Sequence, residues 1–355
     1  MDRTQAPPHL PLPIRILHDR FFALLLASYA LAAAWPGPGL QLRAIGMATV
    51  RLGGESMNLT LPAVLLGLLL LNAGMGVRLD ELRGLLKRPA PLLAGLLANL
   101  LIPIAFIAAV AHTMTIWHNP DEVQVILVGL ALVASMPIAG SSTAWAQNAE
   151  GDLALSLGMV VASTILSPLA TPWALRAVGG LTRGDYAAGL RDIAAHGAGL
   201  FLLVCVLLPT AAGIVLRAFL GDRRAALIRP LLKTINALTL LVLCYSNASA
   251  ALPRALSQPD WDFLLAIVGV TGSLCLVAFA SGWILGRMLG IEAPARTSLM
   301  FGLGMNNNGT GLVLASIALS SHPDVMLPVI AYNLIQQVVA ASVGAWRGYV
   351  STRLS

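Results

Sequence analysis

Apolar runs of roughly bilayer-spanning length follow one another along this chain, joined by short polar links. They fall at 21–36, 61–77, 90–112, 123–149, 153–178, 193–219, 230–252, 261–286, 295–319 and 325–347. A membrane-crossing helix needs about 20 such residues, because the hydrocarbon core is ~30 Å thick. Charged residues make up 11% of the chain, against about 25% in an ordinary soluble domain. So little charge cannot cover a water-facing surface, and lipid must solvate much of the molecule. The expected fold class is an all-α membrane protein with ten transmembrane helices.

The first run leaves two readings open. Phe21 to Ala34 is short, follows the basic stretch Arg15–Arg20 and ends in small residues, which also describes a secretory signal core. The reading adopted is a retained first helix behind a cytoplasmic segment 1–20. Arginine and lysine then set the orientation. One side would carry Arg3, Arg15, Arg20, Arg78, Arg83, Lys87, Arg88, Arg217, Arg223, Arg224, Arg229, Lys233, Arg287, Arg296, Arg347 and Arg353, with 217–233 expected as a loop. The other side would carry only Arg43, Arg51, Arg176, Arg183, Arg191 and Arg254. Both termini are therefore expected in the cytoplasm, and the membrane is expected to be the plasma membrane. No basic run is interleaved with aromatics, which argues against nucleic acid as a partner. Cys205, Cys244 and Cys275 each lie in an apolar run, with no metal-ligand spacing, and read as small buried hydrophobes.

Ten helices divide into five and five, and an odd number per half inverts the second half in the membrane. The expected organisation is a first five-helix repeat over 21–178 and a second, inverted repeat over 193–347. Matching irregularities support it. The fourth helix is interrupted at Pro137-Ile138-Ala139-Gly140-Ser141-Ser142-Thr143, and the ninth over 302–311, around Asn306-Asn307-Asn308. Breaking a helix in a membrane frees backbone groups that cost several kcal/mol each unless satisfied. Ser141, Ser142 and Thr143 are candidate caps for one half-helix, Asn308 and Thr310 for the other. Two half-helix N-termini at one place favour an anion. Pro137 alone reads as a kink, whereas three consecutive carboxamides at mid-span depth read as function. Asn99 is either a cavity lining or a helix-to-helix bond. Asn72, Asn247, Asn333, Gln336 and Gln337 read as interhelical bonds, His112 and His196 as interfacial, and Asp152 as the cap of the fifth helix.

The run from Pro137 to Ser156, with its Gly151-Asp152 turn and Ala154-Leu155-Ser156, resembles the fourth-to-fifth helix signature of the bile acid:sodium symporter family. Gly304-Met305-Asn306-Asn307 is similar to that family's ninth-helix motif, and Gly74-Met75-Gly76-Val77 with Lys87-Arg88-Pro89 resembles the loop after its second helix. The resemblance covers about 60–340. It implies a core domain of helices 3–5 and 8–10, in which broken helices 4 and 9 cross, and a panel domain of helices 1, 2, 6 and 7. It also implies carriage of a small organic anion (bile acid-like, steroid sulfate or pantoate-like) by alternating access, with sodium as coupling ion and no other cofactor. The substrate would lie between core and panel, against the crossover, at Gly140, Ser141, Asn307, Asn308 and Thr310.

The sodium positions implied by the resemblance are Ser142, Thr143, Ser156, Asn99 and Asn306, with Leu303 and Met305 contributing backbone oxygens. Ser142 and Ser156 match the family pattern. Thr143 stands where Asn is typical, Val160 replaces a hydroxyl, Asn306 replaces Gln, and Gly302 stands where the family has Glu. Residues 123–149 and 297–321 contain no acidic or basic residue. Sodium there would lack a counter-charge other than the substrate, so its binding is expected to be weak, absent or substrate-dependent. A sodium-independent facilitator or exchanger, and a transport-dead sensor or scaffold, are the alternatives. An enzyme is not expected, because Ser142 has no base near it in sequence. The partners expected are the anion and lipid, with no obligate protein partner.

Overall fold

The computed structural model describes residues 20–52, 54–77 and 89–354, without the side chains at 222 and 348–354. The expected N-terminal segment, Arg20 excepted, and the basic residues at 78, 83, 87 and 88 lie outside the described residues. In chain order the elements are α1 (Phe21–Ala34), α2 (Gly37–Ala44), a hairpin of β1 (Gly46–Leu52) and β2 (Glu55–Thr60), and α3 (Leu61–Met75). Then follow α4 (Pro89–Thr113), α5 (Pro120–Ser135), α6 (Ser141–Asn148), α7 (Leu153–Gly179), α8 (Gly184–Asp192) and α9 (Ala198–Leu202). The chain ends with α10 (Leu208–Ala248), α11 (Leu252–Ser257), α12 (Trp261–Met288), α13 (Ala293–Gly304), α14 (Asn308–Ala318) and α15 (Met326–Leu354).

Six helical stretches among the described residues are long and apolar enough to cross a membrane: Pro89–Ile116, Leu153–Gly179, Gly184–Gly221, Arg223–Ala248, Trp261–Met288 and Pro323–Arg347. A seventh is added if α1 and α2, bent by 96° to one another, form one span. The molecule is a mostly helical membrane protein with broken helices. Several of its helices start where the sequence supplies a cap. Asn119 accepts from the Asp121 N–H ahead of α5, Asp152 from Leu155 ahead of α7, and Asp260 from Phe263 ahead of α12. Each removes one unsatisfied donor from a helix N-terminus.

Three expectations need correction. The fold is not all helical: 46–60 forms an antiparallel hairpin with Thr49 opposite Asn58 and Leu52 opposite Glu55. The segment 217–233 is not a loop. Helix continues through it, turning only at Gly221, whose φ of 70° lies in the left-handed region glycine adopts freely. The sixth helical stretch starts at Gly184 rather than 193, because Tyr186, Ala187 and Leu190 give the polar segment one buried face; two π-helical turns, Ile193–Gly197 and Leu203–Leu207, interrupt it.

The described residues fall into two compact units, one of 20–77 with 204–259, the other of 89–203 with 260–354. In the first, α3 and α1 pack along α10. Asn72 Nδ2 donates to the Leu232 carbonyl at 2.7 Å and Ser28 Oγ to that of Leu241 at 2.9 Å, tying helices together. Asn247, in contrast, bonds to Leu243 of its own helix. The second unit is built around α5, which from Val125 to Ser135 is buried on all sides and, up to the terminal serine, carries only apolar residues, as a helix stretch without a solvent face must. Helices α4, α7 and α15 pack on it. The three cysteines are buried and free.

Candidate functional site

Two extended segments, Met136–Gly140 between α5 and α6 and Met305–Asn307 between α13 and α14, cross inside the second unit. They pair antiparallel at Ile138 and Asn306. The Ala139 N–H donates to the Met305 carbonyl and the Asn307 N–H to the Pro137 carbonyl, both at 2.9 Å. Other backbone groups freed by the breaks are met by side chains. The Ile138 N–H donates to Ser163 Oγ (3.1 Å) and the Asn306 N–H to Gln336 Oε1 (3.2 Å). Tyr332 donates its hydroxyl to the Gly304 carbonyl (3.1 Å), and Thr171 donates to that of Ser135, the last residue of α5. The backbone of the crossing is thus largely satisfied within the protein, as a membrane interior demands.

The caps differ from expectation. No side chain caps α6, which starts on Gly140. Asn307, not Asn308 or Thr310, caps α14, accepting from the Thr310 N–H at 3.3 Å. Helices α5 and α13 bring C-terminal ends to the crossing, and α6 and α14 bring N-terminal ends. Partial charges of both signs therefore gather in a region without ionised side chains.

The polar side chains around the crossing are less well provided for. Ser142 Oγ, Asn306 Oδ1, Thr310 Oγ1 and both amide atoms of Asn308 are buried and have no hydrogen-bond partner; Asn99 Oδ1, on α4, is likewise buried and unpartnered. A buried polar atom left unpaired costs about 1–3 kcal/mol, and Ser142, Asn306, Asn308 and Thr310 all lie in or beside the two breaks. Of the residues expected to meet substrate, Gly140 and Ser141 are exposed and Asn307 is partly exposed, while Asn308 and Thr310 are enclosed. Of those expected to meet sodium, Ser156 donates to Thr143 Oγ1 at 3.2 Å, joining α7 to α6.

Residues 63–256, more than half of the chain, match the Sodium Bile acid symporter family. The chain belongs to that family. It is 26% identical over 271 residues to the uncharacterized protein YbaS of Bacillus subtilis, covering 76% of this chain and 83% of that one. It is 28% identical over 253 residues to the Arabidopsis thaliana protein named "Probable sodium/metabolite cotransporter BASS1, chloroplastic", covering 70% of this chain and 57% of the relative. A second Bacillus subtilis relative, the "Uncharacterized sodium-dependent transporter YocS", is 23% identical over 257 residues, 71% of this chain and 73% of its own. The chain is accordingly a membrane symporter of this family and not an enzyme.

Membership of a sodium symporter family asks whether the donors fit that ion. Sodium is a hard cation suited to oxygen ligands, as calcium and magnesium are. The unpartnered oxygens of Asn99, Ser142, Asn306 and Thr310 are of the right kind. Charge is what the site lacks: among the described residues no three of His, Cys, Asp and Glu gather to hold a metal ion. Ser163, Thr171, Tyr332 and Gln336 hold the crossing in place, a part the sequence does not reveal. Gln337 makes the expected interhelical bond, its Oε1 accepting from Trp145 Nε1 at 3.3 Å, whereas Gln336 serves the extended segment at Asn306 and its own helix at Asn333. The other three are hydroxyls in apolar helices, and hydroxyls bonding within a helix look no different in sequence.

Proposed function

We propose that this chain is a secondary transporter of a small organic anion, bile acid-like, steroid sulfate-like or pantoate-like. It works by alternating access, with sodium entering together with the anion. The observation that carries the reading is the contrast at the crossing. Backbone groups there are met by protein, while a set of buried side-chain oxygens is not, and two helix N-termini start there. The N-termini favour an anion, and Gly140, Ser141 and Asn307 present backbone and carboxamide donors on the open side, with Asn308 and Thr310 behind them. The oxygens of Ser142, Thr143, Ser156, Asn99 and Asn306, with the carbonyls of Leu303 and Met305, favour a cation whose charge the bound anion balances.

The same reading takes the fold as ten spans in two inverted repeats, 21–178 and 193–347, with the first unit as panel and the second as core. Adding α3, the α5–α6 pair and the α13–α14 pair to the seven candidate spans supports that number. Both termini are proposed to be cytoplasmic. The test is uptake of labelled organic anions into proteoliposomes with and without an inward sodium gradient. Sodium-stimulated uptake of at least one anion, lost in Asn307→Ala, is expected. Anion binding with no flux under any gradient would transfer the protein to the sensor reading.

A further inference from the structure

Met159 of α7 is fully buried, and two glycines make room for it. A Cβ on Gly302 of α13 would stand on Met159 Cε and only 3.1 Å from its Sδ; a Cβ on Gly95 of α4 would lie 2.9 Å from the same Sδ. The thioether is wedged where α4, α7 and α13 come together. Around it Ile138, Leu155, Leu299 and Leu303 form an apolar cluster, none more than 2% exposed. This cluster is part of the crossing itself. Ile138 is the residue paired with Asn306, and Leu303 lies two residues from Met305, whose carbonyl accepts from Ala139.

We propose that Met159, seated in the space opened by Gly302, is an apolar plug that keeps fixed negative charge out of the crossing, so that sodium acquires a hold there only together with the anion. The inference rests on the symport reading above and adds the residue that sets its order of binding. A thioether is a soft, weak ligand that does nothing for a hard cation. The cluster's side chains are apolar and buried, so they offer an ion no polar atom either. An ion entering alone would meet neutral oxygens and helix ends but no compensating charge, and burying an uncompensated charge is unfavourable. An anion at the open face supplies what the plug excludes.

The test uses thermal stability, so it does not depend on transport. The purified full-length protein is melted in sodium, potassium and choline chloride at equal ionic strength, as wild type, Met159→Ala, Gly302→Glu and the double variant. Wild type should show no difference among the three salts, and neither should Met159→Ala, although the cavity it leaves lowers its melting temperature in all of them. Gly302→Glu alone should melt lower in every salt, because the new side chain meets Met159 and carries a charge into the cluster. In the double variant, removing the thioether makes room for the carboxylate, and a sodium-specific rise should appear, since a ligand that binds only the folded state stabilises it by mass action. A sodium-specific rise in the wild type overturns the proposal whether or not any variant folds. A folded double variant with no preference among the cations overturns it as well. Neither result touches anion transport, which the uptake assay decides separately.

Discussion

Gly302 accepts no side chain without displacing Met159, and Met159 is enclosed by Ile138, Leu155, Leu299 and Leu303. Gly302→Ala should therefore lower stability by about 1–3 kcal/mol, the ordinary cost of overpacking. The methionine's flexible end can yield part of the space, which places the effect toward the lower end; a melting temperature equal to wild type would mean the cluster is looser than its burial indicates. Ser163→Ala removes the acceptor of the buried Ile138 N–H, and an orphaned donor costs about 1–3 kcal/mol. Ser163→Thr keeps the hydroxyl and should recover most of that loss in the same melt. At this scale the sequence is partly readable. The run Asn306-Asn307-Asn308 stands out because carboxamides are costly in an apolar span. Met159 does not, because a methionine in an apolar helix breaks no pattern, and its role comes from two glycines more than sixty residues away on one side and more than a hundred on the other.

A broken helix is readable where its breakers are. Pro137 and Gly140, and the glycines and asparagines of 302–311, mark the two interruptions, and α5–α6 and α13–α14 part there. Cap identity is harder, since three candidate residues stand in a row and φ/ψ decides which is non-helical. Asn307 caps α14 with its carboxamide oxygen and is itself partly exposed. Asn307→Ser and Asn307→Asp both keep a capping oxygen and should fold, whereas Asn307→Ala should lose about 0.5–2 kcal/mol of stability. If the substrate is an anion, a carboxylate there repels it, so uptake by the Asp variant should fall well below that of the Ser variant. Equal uptake by the two would count against an anion near Asn307. The hairpin over 46–60 has a usable signal in Gly53-Gly54 between two runs carrying β-branched residues, a period of two that a search for membrane-length apolar runs does not register. The helix through 217–233 had no comparable signal, because a basic stretch next to a glycine looks the same whether it is a loop or a bent helix.

Over the whole molecule the sequence speaks through charge. Sixteen of the 22 arginines and lysines fall on one side of a ten-span arrangement, and such an excess marks the cytoplasm. That bias does not depend on side-chain packing, so it can be read without a structure. The division into two units brings 20–77 together with 204–259, a pairing no local pattern encodes; only the family resemblance implies a grouping of helices 1, 2, 6 and 7. The span number links the two kinds of information, because each added or removed span flips everything after it. Among the described residues six or seven stretches qualify by length and apolarity alone. The ten-span reading adds one short helix and two broken ones, each of which must cross fully for the charge bias to hold. Reporter fusions test this directly. A green fluorescent protein fused after Ser355 should fluoresce, and an alkaline phosphatase fused after Gln258, at the end of the proposed seventh span, should be active, because these two sites must face opposite sides. A re-entrant α13–α14 pair that turns back instead of crossing would leave the Gln258 fusion active but move the C-terminus outside, quenching the fluorescence. The two reporters together therefore distinguish ten spans from nine, and with them decide whether the second half mirrors the first.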